Sequence, residues 1–312
     1  MAPINSENDI MTPPITRLLI LAASLLLPGA SHAALQIFAC EPEWGALARE
    51  IGGDAVSVTT ATTAMQDPHR IEARPSLIAR ARNANLLVCT GAELEIGWLP
   101  LILASSANPA IQAGQPGQFF AADFVPLLDK PAVLDRAAGD VHAAGNPHIQ
   151  TDPRNIARVG AALAARMAQL DPAQAALYQA RWKDFSTRWD HAMARWQTRA
   201  APLRGIPIVV QHAAFPYLQN WLGLRQVAVL EAKPGVEPSL ASLAAVKAQL
   251  AVTPARMGLR AAYQSSRPSD WIARHAGLKI VVIPFTVGGD PDARDLFGLF
   301  DSTLTKLLAG LN

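Results

Sequence analysis

Three short stretches carry the residues best able to do chemistry: Asp67-Pro68-His69, Gly145-Asn146-Pro147-His148 and Val209-Val210-Gln211-His212. Imidazole nitrogen is the commonest biological ligand for zinc, and three neutral imidazoles favour Zn2+ over the oxygen-seeking ions Ca2+ and Mg2+. The three lie far apart in the chain. That spacing excludes a local zinc finger, whose ligands fall within a few residues of one another. Any site using all of them must be assembled by the fold from both halves of the molecule. Taken singly, His69 and His148 read as easily as solvated loop residues, and His212 as the ordinary end of a strand. Jointly they describe a metal ion gripped in a cleft between two lobes. Of the other histidines, His191 and His275 sit in helical stretches and read as surface residues. His142 shares the glycine-rich loop of His148 and is either a metal-capturing side chain or a plain loop residue.

The elements that must hold these residues follow from hydrophobic period and turn signals. Residues 35–40 form a short apolar run, a buried strand. Residues 44–51 have helical periodicity closed by Gly52-Gly53-Asp54, and 56–59 alternate as a second strand. Ser76 reads as the N-cap of a helix ending at Arg82, and 84–90 as a third strand. Such strand–helix–strand alternation points to an α/β lobe with a parallel sheet, in which ligands bind beyond the carboxyl ends of the strands. Residues 111–150 are loop-rich. From Pro153 the pattern is helical almost without pause to Arg199, with a fresh start at Asp171-Pro172 and no further Pro or Gly in 172–199. About 28 residues of helix extend roughly 42 Å, a rigid spine rather than a flexible linker. A second α/β half follows, with strands at 206–210, 226–230 and 280–284, helices at 215–222 and 238–250, and an amphipathic helix over 293–311. The expected architecture is therefore α/β, two Rossmann-like lobes with parallel sheets joined by one long rigid helix. Its divisions are 34–171, 172–200 and 201–312.

Residues 1–33 read as a cleaved signal peptide. Arg17 precedes the apolar run 18–27, Pro28-Gly29 breaks it, and Ser31-His32-Ala33 places small residues at the cleavage site. The run is shorter than the roughly 20 apolar residues of a membrane-spanning helix. The first ten residues lack a basic segment, which makes Met11 an alternative start. The periplasm is the expected location. Cys40 does not read as a lipidation site, because the bulky Phe38 stands where a small residue is needed. In an oxidising compartment Cys40 and Cys89 either pair as a disulfide or remain two buried thiols. A net charge of +2 gives no electrostatic case for binding nucleic acid. With 50% hydrophobic and 17% charged residues, the chain is a folded, helix-rich protein rather than a disordered one.

With these residues placed, the chain resembles the zinc/manganese solute-binding proteins of bacterial metal ABC importers, cluster A-I, periplasmic zinc-binding type. The likeness runs from about Leu35 to Leu311. It rests on Asp67-Pro68-His69 with Pro75-Ser76, Gly91-Ala92-Glu93-Leu94-Glu95 with Trp98-Leu99, Asn146-Pro147-His148 with Asp152-Pro153, His212, and Pro234-Gly235-Val236-Glu237-Pro238-Ser239. The resemblance implies two α/β lobes joined by one long helix, with the metal in the interlobe cleft. His69 and His148 would come from the first lobe and His212 from the second. It also implies a fourth ligand, a carboxylate in the loop after the last strand. Here the corresponding position falls near Pro284 or Phe285, where no carboxylate stands. Asp290, beyond the flexible Gly288-Gly289 pair, is the expected substitute, with water, Glu41 or Glu43 as alternatives.

The expected function is capture of periplasmic Zn2+ by a monomer that delivers it to an inner-membrane ABC permease. Mn2+ is the alternative cargo within the same family, but it prefers carboxylate and water oxygens. Because only neutral imidazoles bind, affinity should collapse below about pH 6. Little lobe motion is expected across a single stiff helix. The protein is not expected to be an enzyme. The rival from another class is a secreted zinc hydrolase, with Glu41 or Glu43 as general base, although no His-Glu-x-x-His element is present. A surface adhesin of the same fold is the third reading.

Overall fold

Each half of the chain opens with a strand whose two neighbours flank it, so the first strand of each sheet is central. The computed structural model describes Met1, residues 33–132 and residues 139–312. The expected signal peptide lies, apart from its end residues, outside the described residues. In the first half the elements run β1 (Leu35–Ala39), α1 (Pro42–Gly52), β2 (Val56–Thr60), α2 (Pro75–Arg82), β3 (Leu86–Cys89), α3 (Leu99–Ser106) and β4 (Gln118–Phe120). Its sheet has the order β2-β1-β3-β4, with each pair parallel. Two long helices follow, α4 (Pro153–Leu170) and α5 (Ala175–Arg199). The second half repeats the plan with β5 (Pro207–Val210), α6 (Pro216–Leu222), β6 (Arg225–Val229), α7 (Leu240–Val252), β7 (Met257–Ala261), α8 (Arg267–Ala276), β8 (Ile280–Ile283) and α9 (Leu296–Ala309). Its order, β6-β5-β7-β8, is the same, and all its pairs are parallel. The α/β architecture expected from the sequence is the one observed.

Local differences from the sequence reading have clear causes. Pro75 occupies the first helical position of α2, so Arg74 rather than Ser76 is the cap. Ser239, not Pro238, starts α7, and its side chain accepts a hydrogen bond from Ser242 N. The edge strand β4 and the strand β7 went unread. β4 is only three residues long, and β7 carries Gly258 and Arg260 within its run. The expected spine is present as a short 3-10 turn, Pro172–Gln174, that leads into α5. Asp152 caps α4 through its side chain, which accepts from Arg154 N.

One continuous core joins the two sheets. It includes Ile37 and Val88 of the first, Ile208, Val210 and Leu259 of the second, and the aromatic face of α5. Residues 34–312 accordingly form one compact unit. The spine is held by rings: Trp189 packs on Phe185, Trp196, Phe297 and Phe300 at centroid distances of 5.1, 5.1, 4.9 and 5.6 Å. Its indole nitrogen also donates to Pro153 O at 2.9 Å, so one side chain ties α5 to both α4 and α9. Cys40 and Cys89 form a disulfide immediately beyond the paired ends of β1 and β3, where the two Cα atoms lie 4.7 Å apart. Among the described residues, no helix is long and apolar enough to cross a membrane.

The ring cluster gives a test of the spine. Trp189→Ala removes a fully buried indole and should cost about 3–5 kcal/mol of folding stability. Urea unfolding followed by circular dichroism should show the loss, and a change under about 1 kcal/mol would contradict this account of the packing.

Candidate metal centre

Parallel strands point their carboxyl ends the same way, so the loops that follow them converge on one rim. His69 lies in the loop after β2, His148 beyond β4, and His212 two residues after β5. The structure brings these three together. One nitrogen from each lies within 4.8 Å of the other two, and ring centroids are separated by 5.2 Å (His69–His148), 5.9 Å (His69–His212) and 5.6 Å (His148–His212). All three are buried, with 8, 1 and 5% of their surfaces exposed. They are the only such histidine group among the described residues.

The two Pro-His stretches use the same local device. Asp67 Oδ1 accepts the backbone N–H of His69 at 3.0 Å, and Asn146 Oδ1 accepts that of His148 at 3.1 Å. Each is an Asx turn that fixes the histidine two residues on. Asp67 goes further, since the same oxygen lies 2.8 Å from His69 Nδ1 and selects the tautomer with its lone pair on Nε2. Burial by itself would raise the Asp67 carboxyl, but hydrogen bonds and charge from His69 hold it below its ordinary value. Trp98 Nε1 donates to Pro68 O at 2.8 Å and anchors this loop. Asn146 is tied across to the second half, where its Nδ2 donates to Ala213 O at 2.7 Å.

His212 is oriented by a residue that the sequence reading missed. Glu231 Oε2 lies 2.7 Å from His212 Nδ1 and accepts Gly235 N–H at 2.9 Å. Val210 pairs with Val229, and Glu231 N donates to Gln211 O, so the register of β5 and β6 sets the carboxylate beside the imidazole. Only the pairing of two strands distant in sequence creates this contact. Two nitrogens complete the geometry: His69 Nε2 and His148 Nδ1 are buried with no hydrogen-bond partner. A buried, unpaired polar atom is costly, and here two of them belong to one cluster. Burial, and next the charge of His69, push His148 well below the usual imidazole range, so it is neutral and holds a free lone pair.

Asp290 is not brought to this cluster. Its carboxylate is 2.8 Å from Lys306 Nζ on α9, accepts from Ser302 Oγ at 3.2 Å, and caps Asp292 N at 3.0 Å. The pairing with a helix-borne lysine explains why the flexible glycines do not swing it inward. Its pKa is lowered; burial opposes the shift and the Lys306 hydrogen bond drives it. The stretch expected to carry an acid holds Pro284 and Phe285, and the Phe285 ring packs edge-on against His148 at 5.2 Å. His142 stands beside the cluster, its ring 5.4 Å from that of His69. Burial first, and then the charge of His69, lower its pKa to about 4. His191 and His275 are exposed, as expected.

The other two acids are engaged in a second buried group. Glu41 Oε2 accepts from Thr90 N and Oγ1, and Glu95 accepts from Thr90 N and Gly91 N. Burial, and next the charges of Glu95 and Glu43, push the Glu41 carboxyl well above its ordinary value. Glu43 accepts from Thr286 Oγ1 in the loop after β8. Burial raises Glu43 and Glu95 to about 7.

The chain matches the profile of a family described as zinc-uptake complex component A, periplasmic (ZnuA), over residues 37–310. It is 24% identical over 233 residues to the high-affinity zinc uptake system protein ZnuA of Bacillus subtilis, covering 73% of this chain and 71% of that protein. It is also 24% identical to the protein of the same name from Paracoccus denitrificans, covering 67% and 71%. Among solved structures, a ZnuA crystal structure superposes with a TM-score of 0.72 at 22% identity, covering 89% of this chain and all of that one. The nickel complex of FpvC from P. aeruginosa superposes at 0.73 and 22%, covering 89% and 97%. At these identities the structural likeness is one of fold.

Two measurements test the site. Glu231→Gln removes the charged partner of His212 and should weaken zinc binding by about 10–100-fold in a competition titration. A loss under twofold would leave Glu231 without an orienting role. Separately, carboxyls raised in the folded state bind more protons there than when unfolded, so their contribution to stability falls as pH rises from about 4.5 to about 7. Glu43→Gln should flatten that part of the stability profile of metal-free protein. A slope equal to that of the unsubstituted chain would count against it.

Proposed function

We propose that this chain, which belongs to the ZnuA family of periplasmic zinc-uptake components, captures Zn2+ through His69, His148 and His212 and passes it to an inner-membrane ABC permease. The observation that carries the reading is the convergence of three buried imidazoles, two of which keep unpaired nitrogens within the cluster. Zinc–nitrogen bonds of about 2.0–2.1 Å in a tetrahedron set the nitrogens about 3.3 Å apart, so the present cluster needs only modest contraction. The carboxylates of Asp67 and Glu231 draw density onto the metal-facing nitrogens and offset the ion's charge. A disulfide and a signal-like leader both fit the periplasm.

Zinc is favoured over manganese by the donor set. Imidazole nitrogens suit Zn2+, whereas Mn2+ is better served by carboxylate and water oxygens. The acids expected as alternative ligands are engaged elsewhere: Asp290 with Lys306, Glu41 with Thr90, and Glu43 with Thr286. Protons compete with the metal for the same lone pairs, and burial keeps His148 neutral well below the ordinary imidazole range.

His69→Ala, His148→Ala and His212→Ala should each weaken Zn2+ binding by about 100-fold or more, measured by competition with a chromophoric chelator. Apo-protein given equimolar Zn2+ and Mn2+ should retain zinc. Preferential retention of manganese, or three alanine variants that bind zinc as the parent does, would refute the reading.

A further inference from the structure

We propose that His142 is the fourth inner-sphere ligand of the captured ion, so that this chain encloses zinc in four imidazoles. The proposal rests on the three-histidine site and adds the donor that completes its tetrahedron. In the structure His142 lies beside the cluster, with its ring as close to His69, at 5.4 Å, as the rings of His148 and His212 are, at 5.2 and 5.9 Å. Its own plane is inclined by 30° to that of His69. Among the described residues neither of its ring nitrogens has a hydrogen-bond partner, whereas Asp67 and Glu231 hold one nitrogen each of His69 and His212. It also lines, with His148, His212, Asp140 and Asn146, a cavity of about 180 Å3 that opens beside the site.

The backbone around His142 is held by both halves of the molecule. Ala143 N donates to Glu93 Oε2 at 2.7 Å, on the first half, and Asp140 N donates to Pro234 O at 2.9 Å, on the second. Glu93 itself sits at a φ of 67°, a left-handed conformation that is strained for a residue with a side chain and is maintained where it presents its carboxylate to the strap. Arg70, next to His69, donates to Gly235 O at 3.1 Å and lies 3.7 Å from Asp140 Oδ2, which draws the same segment toward the cluster. Gly145 closes the segment at a φ of 125°, open to glycine alone, and supplies a pivot between His142 and His148.

Among the acids around the site, Asp140 lines the same cavity as His142 with its Oδ2 3.7 Å from Arg70. Asp290 is paired with Lys306, and near the place expected for a carboxylate Phe285 packs its ring on His148. His142 is outside the set of nitrogens that lie within 4.8 Å of one another, so binding must bring it inward. The ion supplies the drive, because the nitrogen bond gained replaces a water ligand in the cavity beside the site. An all-nitrogen shell also sharpens discrimination against Mn2+, which a water or carboxylate oxygen in the fourth place would relax.

X-ray absorption at the zinc edge of the zinc-loaded protein, together with competition titrations, tests the assignment. The expected result is a shell of four imidazole nitrogens at about 2.0 Å. His142→Ala and His142→Gln should both show three nitrogens and one oxygen, with affinity reduced about tenfold or more. Glutamine keeps a polar side chain of similar length, so a loss shared by both variants reports the imidazole and not the packing of the segment. Asp290→Asn should bind as the unsubstituted protein does. A parent shell of three imidazoles and one oxygen, with undiminished affinity in both His142 variants, would overturn the proposal while leaving the three-histidine site intact. Unchanged binding on loss of His69, His148 or His212 would instead remove the site on which it rests.

Discussion

Everything in this structure answers one requirement: imidazole lone pairs must be kept unprotonated, desolvated and aimed at a common point before any ion arrives. An unpaired buried nitrogen costs on the order of 1–3 kcal/mol, and His69 and His148 each contribute one. The surrounding fold has to over-determine their positions, or the rings would turn away to find partners. It does so with few parts. An Asx turn sets each Pro-His pair, Asp67 and Glu231 occupy the outward nitrogens of two rings, and Phe285 closes one face of the third. A ring held on its outward nitrogen has only one lone pair left to offer.

The rigidity that makes this affordable comes from repeating one topology. Both sheets place their first strand in the centre, so β1 and β5 end beside β3 and β7 at the places where chain direction across the sheet reverses. The site is built at those two rims, facing each other across a shared core rather than across a loose hinge. The spine helix α5 lies behind them, bonded through Trp189 and Trp196 to α4 and α9. Arg199 and Trp196 both reach Asp301 of α9, at 2.7 and 2.9 Å, which fixes the end of the spine against the terminal helix. Burial of this aromatic seam resists sliding of one half on the other.

The legible part of the molecule was the part written in local pattern. Alternation of apolar strands with helical stretches disclosed the α/β plan, and the Pro-free, Gly-free run before Arg199 disclosed the spine. His69, His148 and His212 stood out because each ends an element, which is where parallel sheets put ligands. What escaped depended on pairing across distance. Glu231 is an unremarkable acid in sequence, and becomes the partner of His212 only through the register of β5 with β6. Asp290 was expected at the site because the resemblance implies a carboxylate in that loop and Gly288-Gly289 would let it reach, yet conformational freedom gives no direction. Lys306, one strand-to-helix connection later, supplies the stronger attraction. Strand β7 was hidden for a related reason, since Gly258 and Arg260 interrupt an apolar pattern that only burial between neighbours restores.

The separation of carboxylates from imidazoles then bears directly on which ion the site suits. Glu41, Glu43 and Phe285 line one small cavity, and Phe285 also packs against His148, so an aromatic ring stands between the acids and the histidine cluster. The acids are turned toward Thr90, Gly91 and Thr286, and their raised pKa values record how little solvent or positive charge reaches them. Had an acid stood at position 285, the same backbone would have offered a hard oxygen donor and a fixed negative charge. With phenylalanine there, Asp67 and Glu231 supply balancing charge to a divalent ion indirectly, from behind their imidazoles. In the proposed site the negative charge of Asp67 and Glu231 is held across an imidazole ring from the ion, and the three histidines offer it nitrogen. A borderline ion such as zinc gains most from that division, and an oxygen-seeking ion gains least.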